Sequence, residues 1–276
     1  MILSFLMRLR GKKVGLIGLG IGTENFKSQL NLFLFSIWFR LCNVAVFRQE
    51  IDRQVPGWVL VPRKNIISAD LMLSQNSLPR LQTETKHQVA ISLASEFKNR
   101  EESRQDFIAE IVPVIKHVIE QNYEVHLISF MNEEDQSLND DVAAKMNHPK
   151  CKCIQYSEQT IHACTEFAEA EYALCMRFHA SVLALNYGTP FFAIKYGDKT
   201  DDLVHRTGLD AYSCRYRLND SQAGNAFTNI KHSVLIEGFD RLRKYREQVR
   251  AGMRKGRLEL AMLSDKNLDG LRDLLL

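Results

Sequence analysis

No apolar run in the chain reaches the roughly 20 residues that a membrane-spanning helix needs. The most apolar region, residues 30–47, is broken by Asn31, Arg40 and Asn43. It reads instead as a buried amphipathic helix over 25–41 followed by a strand over 43–47. Internal repeats and low-complexity tracts are also missing, and 45% hydrophobic with 25% charged residues is ordinary for a globular protein, so disorder is excluded. The six cysteines show no paired C-x-x-C spacing. A metal-like cluster of His148, Cys151, Cys153, His162 and Cys164 therefore lacks the pattern of common structural zinc sites. Cys153 falls in an expected strand and Cys164 on the apolar side of an expected helix, as small core residues do, and no metal is expected. With no secretory signal read, a reducing, cytoplasmic compartment is the simplest. A formal charge of +3 is too small to argue for nucleic acid.

What is present is a long alternation of strands and helices. Short β-rich runs fall at 89–93, 125–130, 152–156, 172–176 and 191–194, with helices expected at 100–121, 133–146, 160–170 and 178–187. Such alternation predicts an α/β fold with a parallel, doubly wound sheet, and right-handed crossovers place all strand carboxyl ends on one edge. The polar stretch 79–86 is the best linker, giving an N-terminal lobe over 1–85 and a C-terminal domain over 86–276 that includes mostly helical closing residues.

Residues 176–199, MRFHASVLALNYGTPFFAIKYGDK, put charged groups where such sheets bind ligands. Arg177 and His179 stand at a turn from strand into a helix that Gly188 ends. Helix starts offer unpaired N–H groups and partial positive charge, so this is a place for a phosphate or carboxylate. The next strand delivers Lys195, Tyr196 and Lys199 to the same edge. Lys195 is expected to face away from the site, because neighbouring strand residues alternate sides. Asp198, Asp201 and Asp202 are expected to open the following helix. Each residue also has a plainer reading: Arg177 as the ion-pair partner of Glu169 or Glu171, His179 as a cap, Tyr196 as a half-buried aromatic. If Arg177 and Lys199 line an open cleft, replacing either should leave the fold intact.

The R-x-H-A at Arg177 to Ala180, the G-T-P at Gly188 to Pro190 and the Y-x-x-K at Tyr196 to Lys199 resemble the C-terminal signature of polysaccharide pyruvyl transferases. Weaker similarities are the glycine-rich KKVGLIGLGIG, the VAVFRQE at Val44 to Glu50 and the SAD at Ser68 to Asp70. The resemblance implies a GT-B-like pair of Rossmann-like domains and transfer of a pyruvyl group from phosphoenolpyruvate to a sugar hydroxyl or hydroxyl pair of a glycan or lipid-linked precursor. It implies no cofactor. Arg177 and His179 would be catalytic, and Arg177, Tyr196, Lys199, Gly20 and Gly22 would bind substrate. Family members open with a strand and loop ahead of the glycine-rich strand, so a truncated N-terminal lobe is expected, with Phe33, Phe35, Trp38 and Phe39 left as an exposed surface for a partner or a membrane.

Gly18, Gly20 and Gly22 are spaced G-x-G-x-G rather than G-x-G-x-x-G, and Phe47 and Arg48 stand where a dinucleotide enzyme carries a ribose-binding carboxylate. A nicotinamide enzyme is thereby disfavoured, and the glycines serve either a close approach to the cleft or a structural turn. Two other readings of the whole chain stand: a GT-B glycosyltransferase using a nucleotide-activated sugar, and a noncatalytic binding subunit. The basic run from Arg241 to Arg257 reads as a solvated helix face or as a contact for an anionic membrane surface, which would place the protein at the inner face of the membrane.

Overall fold

A computed structural model describes residues 2–20, 29–48, 64–74, 77–81, 83–95, 101–155, 160–216 and 230–275. The chain divides into two compact units, residues 1–78 with 257–276 and residues 79–256.

The first unit holds a parallel sheet ordered β1-β2-β3, of β1 (Gly15–Leu19), β2 (Val44–Phe47) and β3 (Lys64–Ile67). Its helices are α1 (Ile2–Leu9) and α2 (Gln29–Leu41). Leu32 and Phe39 of α2 pack on Ala45 and Phe47 of the central strand, with Leu16, Leu19 and Phe35 around them. This corrects the expected aromatic surface: Phe39 is fully buried edge-on to Phe47, Phe35 and Trp38 are half-buried, and only Phe33 stays exposed. The outer stripe of α2 is instead Leu30, Phe33, Leu34 and Ile37, an i, i+3, i+4, i+7 pattern.

Residues 257–276, assigned to the C-terminal domain from sequence, cluster with this first unit. The reason is polar as well as apolar. Asn267 donates to Ser68 Oγ (2.6 Å) and to the Ala69 carbonyl (3.1 Å), and Ser264 donates to the Asp70 carbonyl (2.8 Å). Ser68 returns a bond to the Leu263 carbonyl (2.9 Å). The buried strand-end backbone and the Ser68 hydroxyl thus find partners in the closing helix, as buried polar groups must.

The second unit is a six-stranded, all-parallel sheet in the order β6-β5-β4-β7-β8-β9. The strands are β4 (Lys86–Ser92), β5 (Glu124–Ile128), β6 (Cys151–Ile154), β7 (Ala170–Cys175), β8 (Phe191–Lys195) and β9 (Ser213–Arg215). Central strands β4, β7 and β8 read as near-continuous buried apolar runs because both faces are covered. The helices are α3 (Glu101–Glu120), α4 (Asn132–Met146), α5 (Thr160–Glu169), α6 (Phe178–Tyr187), α7 (Asp198–Arg206), α8 (His232–Lys244) and the beginning of α9 (Arg246–Leu275), whose residues from 257 on belong to the first unit. Helix α3 packs with α4 and α8, and α6 packs with α5 and α7. From β4 the chain lays down β5 and β6 to one side, then crosses to place β7, β8 and β9 on the other. That reversal between β4 and β7 is a topological switch point, where open α/β sheets bind ligands outside the strand carboxyl ends.

Helix α8 meets β8 closely enough that a Cβ added at Gly238 would overlap the buried ring of Phe192. Gly238→Ala should therefore lower stability by about 1–3 kcal/mol through overpacking, despite the roughly 1 kcal/mol that alanine gains in helix propensity. Urea unfolding reads this directly; an unchanged or raised midpoint would mean that the ring yields.

The basic run from Arg241 is not a bare charged face. Arg241 pairs with Glu237 (2.5 Å) and Arg243 reaches Gln121 (3.0 Å), its guanidinium near the Tyr123 and Phe239 rings. Arg246 pairs with Glu171 (2.9 Å) over the Tyr172 ring. Glu237 and Glu171 offset two of these charges.

Candidate functional site

Strand β7 ends at Cys175, hydrogen-bonded across to β4 through Met176 N–H and the Ser92 carbonyl (2.9 Å). Arg177 follows as the N-cap of α6 in extended backbone, and Gly188 closes the helix at φ 71°, a left-handed C-cap that glycine adopts without strain. The intervening Ala180 to Leu185 are all buried, which fixes α6 against the sheet and its first turn at the switch point.

The guanidinium of Arg177 lies against Asp135, donating from Nε to Oδ2 (2.9 Å) and from Nη2 to Oδ1 (2.6 Å). Its Nη1 donates to the Tyr196 hydroxyl at 3.1 Å. Asp135 is 0% exposed and also accepts from the backbone N–H of Ser95 (3.0 Å) and of Met131 (3.1 Å). One carboxylate therefore ties together the loops that follow β4 and β5 and the turn that follows β7. Burial works against the charge on Arg177, but the paired Asp135 carboxylate and the Tyr196 hydroxyl outweigh it and hold the guanidinium's pKa above its ordinary value. Arg177 does not reach Glu169 or Glu171, since β7 runs roughly 20 Å from its first residue to the site at about 3.3 Å per residue. Glu171 is engaged by Arg246 and His87, and Glu169 by Lys86.

His179 occupies the second position of α6 and is exposed, its ring packed against Phe178 at a centroid distance of 5.4 Å. Tyr196 follows β8, the neighbour of β7, and Lys199 sits half-buried on the first turn of α7 behind the extended Gly197. Lys195 turns to Asp201 (3.2 Å), which also takes Arg215 from β9. Arg177 and Tyr196 are thus in direct contact, while His179 and Lys199 stand on helix starts that follow adjacent strands.

Gly20 belongs to the first unit, and Gly22 lies outside the described residues. A Cβ at Gly20 would run into the guanidinium of Arg48, which pairs with Asp70 at 2.8 Å. Gly18 holds φ 66°, so the glycines let the chain turn sharply and pass beneath an arginine. Asp70 also caps the short 3-10 turn Leu71–Leu73 through Met72 N–H (3.0 Å).

Sequence reasoning missed Asp135. In the run Glu133, Glu134, Asp135 it looks like any acidic group complementing a helix start. The available signal is phase: Asp135, Leu138, Asn139 and Val142 form the buried stripe of α4, so an acid stands in line with core residues.

The cysteines are all free. Burial pushes the thiols of Cys151 and Cys153 up to about 11 and about 12, and raises Cys175 next to the site as well. None of these three is poised as a thiolate. Among the described residues no three His, Cys, Asp or Glu side chains converge as a metal would need. A cleft of about 380 Å³, lined by Lys86, His87, Gln88, Asn122, Glu124 and Lys150, opens at the amino-terminal edge of the sheet, opposite the switch point. Its cations are engaged locally, Lys86 by Glu169 (2.5 Å) and Lys150 by Asn122 (2.6 Å).

Residues 1–198 match the family model described as polysaccharide pyruvyl transferase. No curated protein matches the chain. Among solved structures, a Listeria monocytogenes protein described as a UDP-N-acetylglucosamine 2-epimerase aligns with a TM-score of 0.64 at 10% identity, over 99% of this chain and 70% of that one. The UDP-GlcNAc 2-epimerase of Neisseria meningitidis, bound to UDP-GlcNAc, aligns at 0.60 and 15% identity over 98% and 72%. The trehalose-6-phosphate synthase OtsA aligns at 0.55 and 10% identity over 99% and 69%. At such identities the likeness is one of fold, and it makes the chain GT-B-like.

Proposed function

Because the chain belongs to the polysaccharide pyruvyl transferase family, and is thus a transferase of polysaccharide biosynthesis, we propose that it moves the pyruvyl group of phosphoenolpyruvate onto a hydroxyl or hydroxyl pair of a sugar. The acceptor is a glycan or its lipid-linked precursor. The observation that carries this reading is the fixed Arg177 at the switch point with His179 exposed two residues on, at the start of α6.

Phosphoenolpyruvate brings a carboxylate and a phosphate, so its site needs cationic and N–H donors. Much of the Arg177 charge is balanced by Asp135, which leaves orientation as its main contribution: Nη1 and the Tyr196 hydroxyl form a rigid polar edge. Lys199 and the starts of α6 and α7 supply the positive field. Protonating the terminal methylene places positive charge on the central carbon. A sugar hydroxyl adds there and gives up its proton, phosphate leaves with the electrons of its C–O bond and takes up a proton, and the second hydroxyl adds to the same carbon, giving up its own proton as the ketal closes. The protonation and the two deprotonations need a group that titrates near neutrality. His179 is assigned that role because histidine is the side chain whose chemistry suits it and this one stands exposed on the first turn of α6. The free cysteines support a cytoplasmic setting.

Mass spectrometry of sugar acceptors incubated with the chain and phosphoenolpyruvate tests the reaction, with a pyruvyl ketal as the expected product. Retention of a nucleoside diphosphate with no affinity for phosphoenolpyruvate would favour a glycosyltransferase instead. Lys199→Ala should weaken phosphoenolpyruvate binding by about 1.5–3 kcal/mol, the value of a charge-assisted contact. Unchanged affinity in titration calorimetry would remove Lys199 from the donor site.

A further inference from the structure

Helix α1 has an apolar surface that none of the described residues of its unit covers. None of its residues is buried, and Ile2, Leu3 and Leu9 are 76%, 72% and 69% exposed, with Phe5, Leu6 and Met7 also open. Beside it, α2 turns outward the stripe Leu30, Phe33, Leu34 and Ile37. Trp38 Nε1 of α2 donates to Ser4 Oγ of α1 (3.1 Å) and Arg8 Nη1 to Oδ1 of Asn43 in the turn after α2 (3.0 Å), so the apolar surface is a fixed part of the fold. Exposed Arg8, Arg10, Lys12 and Lys13 border it, and no acidic residue precedes Glu24.

We propose that α1 and α2 form a docking face for an anionic lipid bilayer, with the apolar side chains entering the boundary between headgroups and acyl chains and the four cations lying against lipid phosphates. Charge decides the occupant. A second copy meeting this face would bring like charges together. An anionic bilayer accepts both halves of the pattern, apolar stripe and basic border. The helices lie in the interface rather than crossing it, as none of the described helices is long and apolar enough to span. The basic run of α8 and α9 is a weaker candidate, since Arg241 and Arg246 in it already pair with Glu237 and Glu171 and Arg243 is held at Gln121. This inference is independent of the pyruvyl-transfer reading, because vesicle binding needs no turnover.

Co-sedimentation of the full chain with vesicles tests it. Binding should be at least about tenfold tighter to phosphatidylcholine containing phosphatidylglycerol than to phosphatidylcholine alone, and should fall as salt is raised. Leu3→Asp with Leu9→Asp should abolish binding while leaving the unfolding midpoint unchanged, as both side chains are exposed. Lys12→Glu with Lys13→Glu should lose about tenfold on anionic vesicles only. A chain that stays in the supernatant with both vesicle types overturns the proposal. So does an α1-dependent dimer that Leu3→Asp splits, or vesicle binding indifferent to all four substitutions.

Discussion

Asp135→Ala should lower the unfolding free energy by about 3–5 kcal/mol, the cost of leaving one partner of a buried ion pair uncompensated. Asp135 is 0% exposed and the Arg177 side chain 11%, so water cannot readily replace the lost carboxylate. Two backbone donors, Ser95 N–H and Met131 N–H, lose their acceptor in the same substitution. Asp135→Asn retains one oxygen and the shape while removing the charge, and should fall between wild type and alanine. Urea unfolding at neutral pH measures all three. A loss under about 1 kcal/mol for alanine, within the range of an exposed pair, would show that the guanidinium is hydrated after all. The same geometry revises the expectation that Arg177→Ala leaves the fold intact, because it strands the Asp135 carboxylate. Donor affinity of an Arg177 variant is then interpretable only within a double-mutant cycle that also removes Asp135.

His179→Ala should have the opposite profile. The side chain is exposed and on the first turn of α6, so stability should move by no more than about 0.5 kcal/mol. Turnover should drop by roughly 10²–10⁴-fold, the range associated with a positioned acid or base. Donor binding should change far less, so the loss should sit in kcat rather than in affinity. A variant with wild-type turnover would rule out proton transfer by His179, and equal losses in stability and activity would make it structural.

The elements around the site were legible wherever local chemistry agreed with the tertiary structure. Helix α6 spans Phe178–Tyr187 as the sequence predicts, because a strand end sits on one side and a left-handed glycine on the other. Strands β4, β5, β7 and β8 fall within a few residues of their expected places since each is a compact apolar run. Strand β9 is three residues, Ser-Cys-Arg, and β3 begins Lys-Asn, so neither carries a periodic signal; both are edge strands defined by their neighbours. The Asp135 pairing and the return of residues 257–276 to the first unit escaped for a common reason. Each is a long-range polar contact, spanning 42 residues in one case and 199 between Ser68 and Asn267 in the other, and periodicity carries no information about such partners.

That return has a consequence for how the protein is made. The second unit is one uninterrupted stretch of chain, whereas the sheet β1-β2-β3 is completed only by residues at the far end of the sequence. At about 5–20 residues per second, a ribosome needs about 10–40 s to pass from residue 79 to residue 276. Throughout that interval the Ser68 hydroxyl and the carbonyls of Ala69 and Asp70 have no Asn267 or Ser264 to meet, and Val46 of β2 has no Gly270 to pack against. The N-terminal unit is therefore the last to be finished although it is the first to emerge, and nascent chains should depend on a chaperone for that segment more than for the domain synthesised after it.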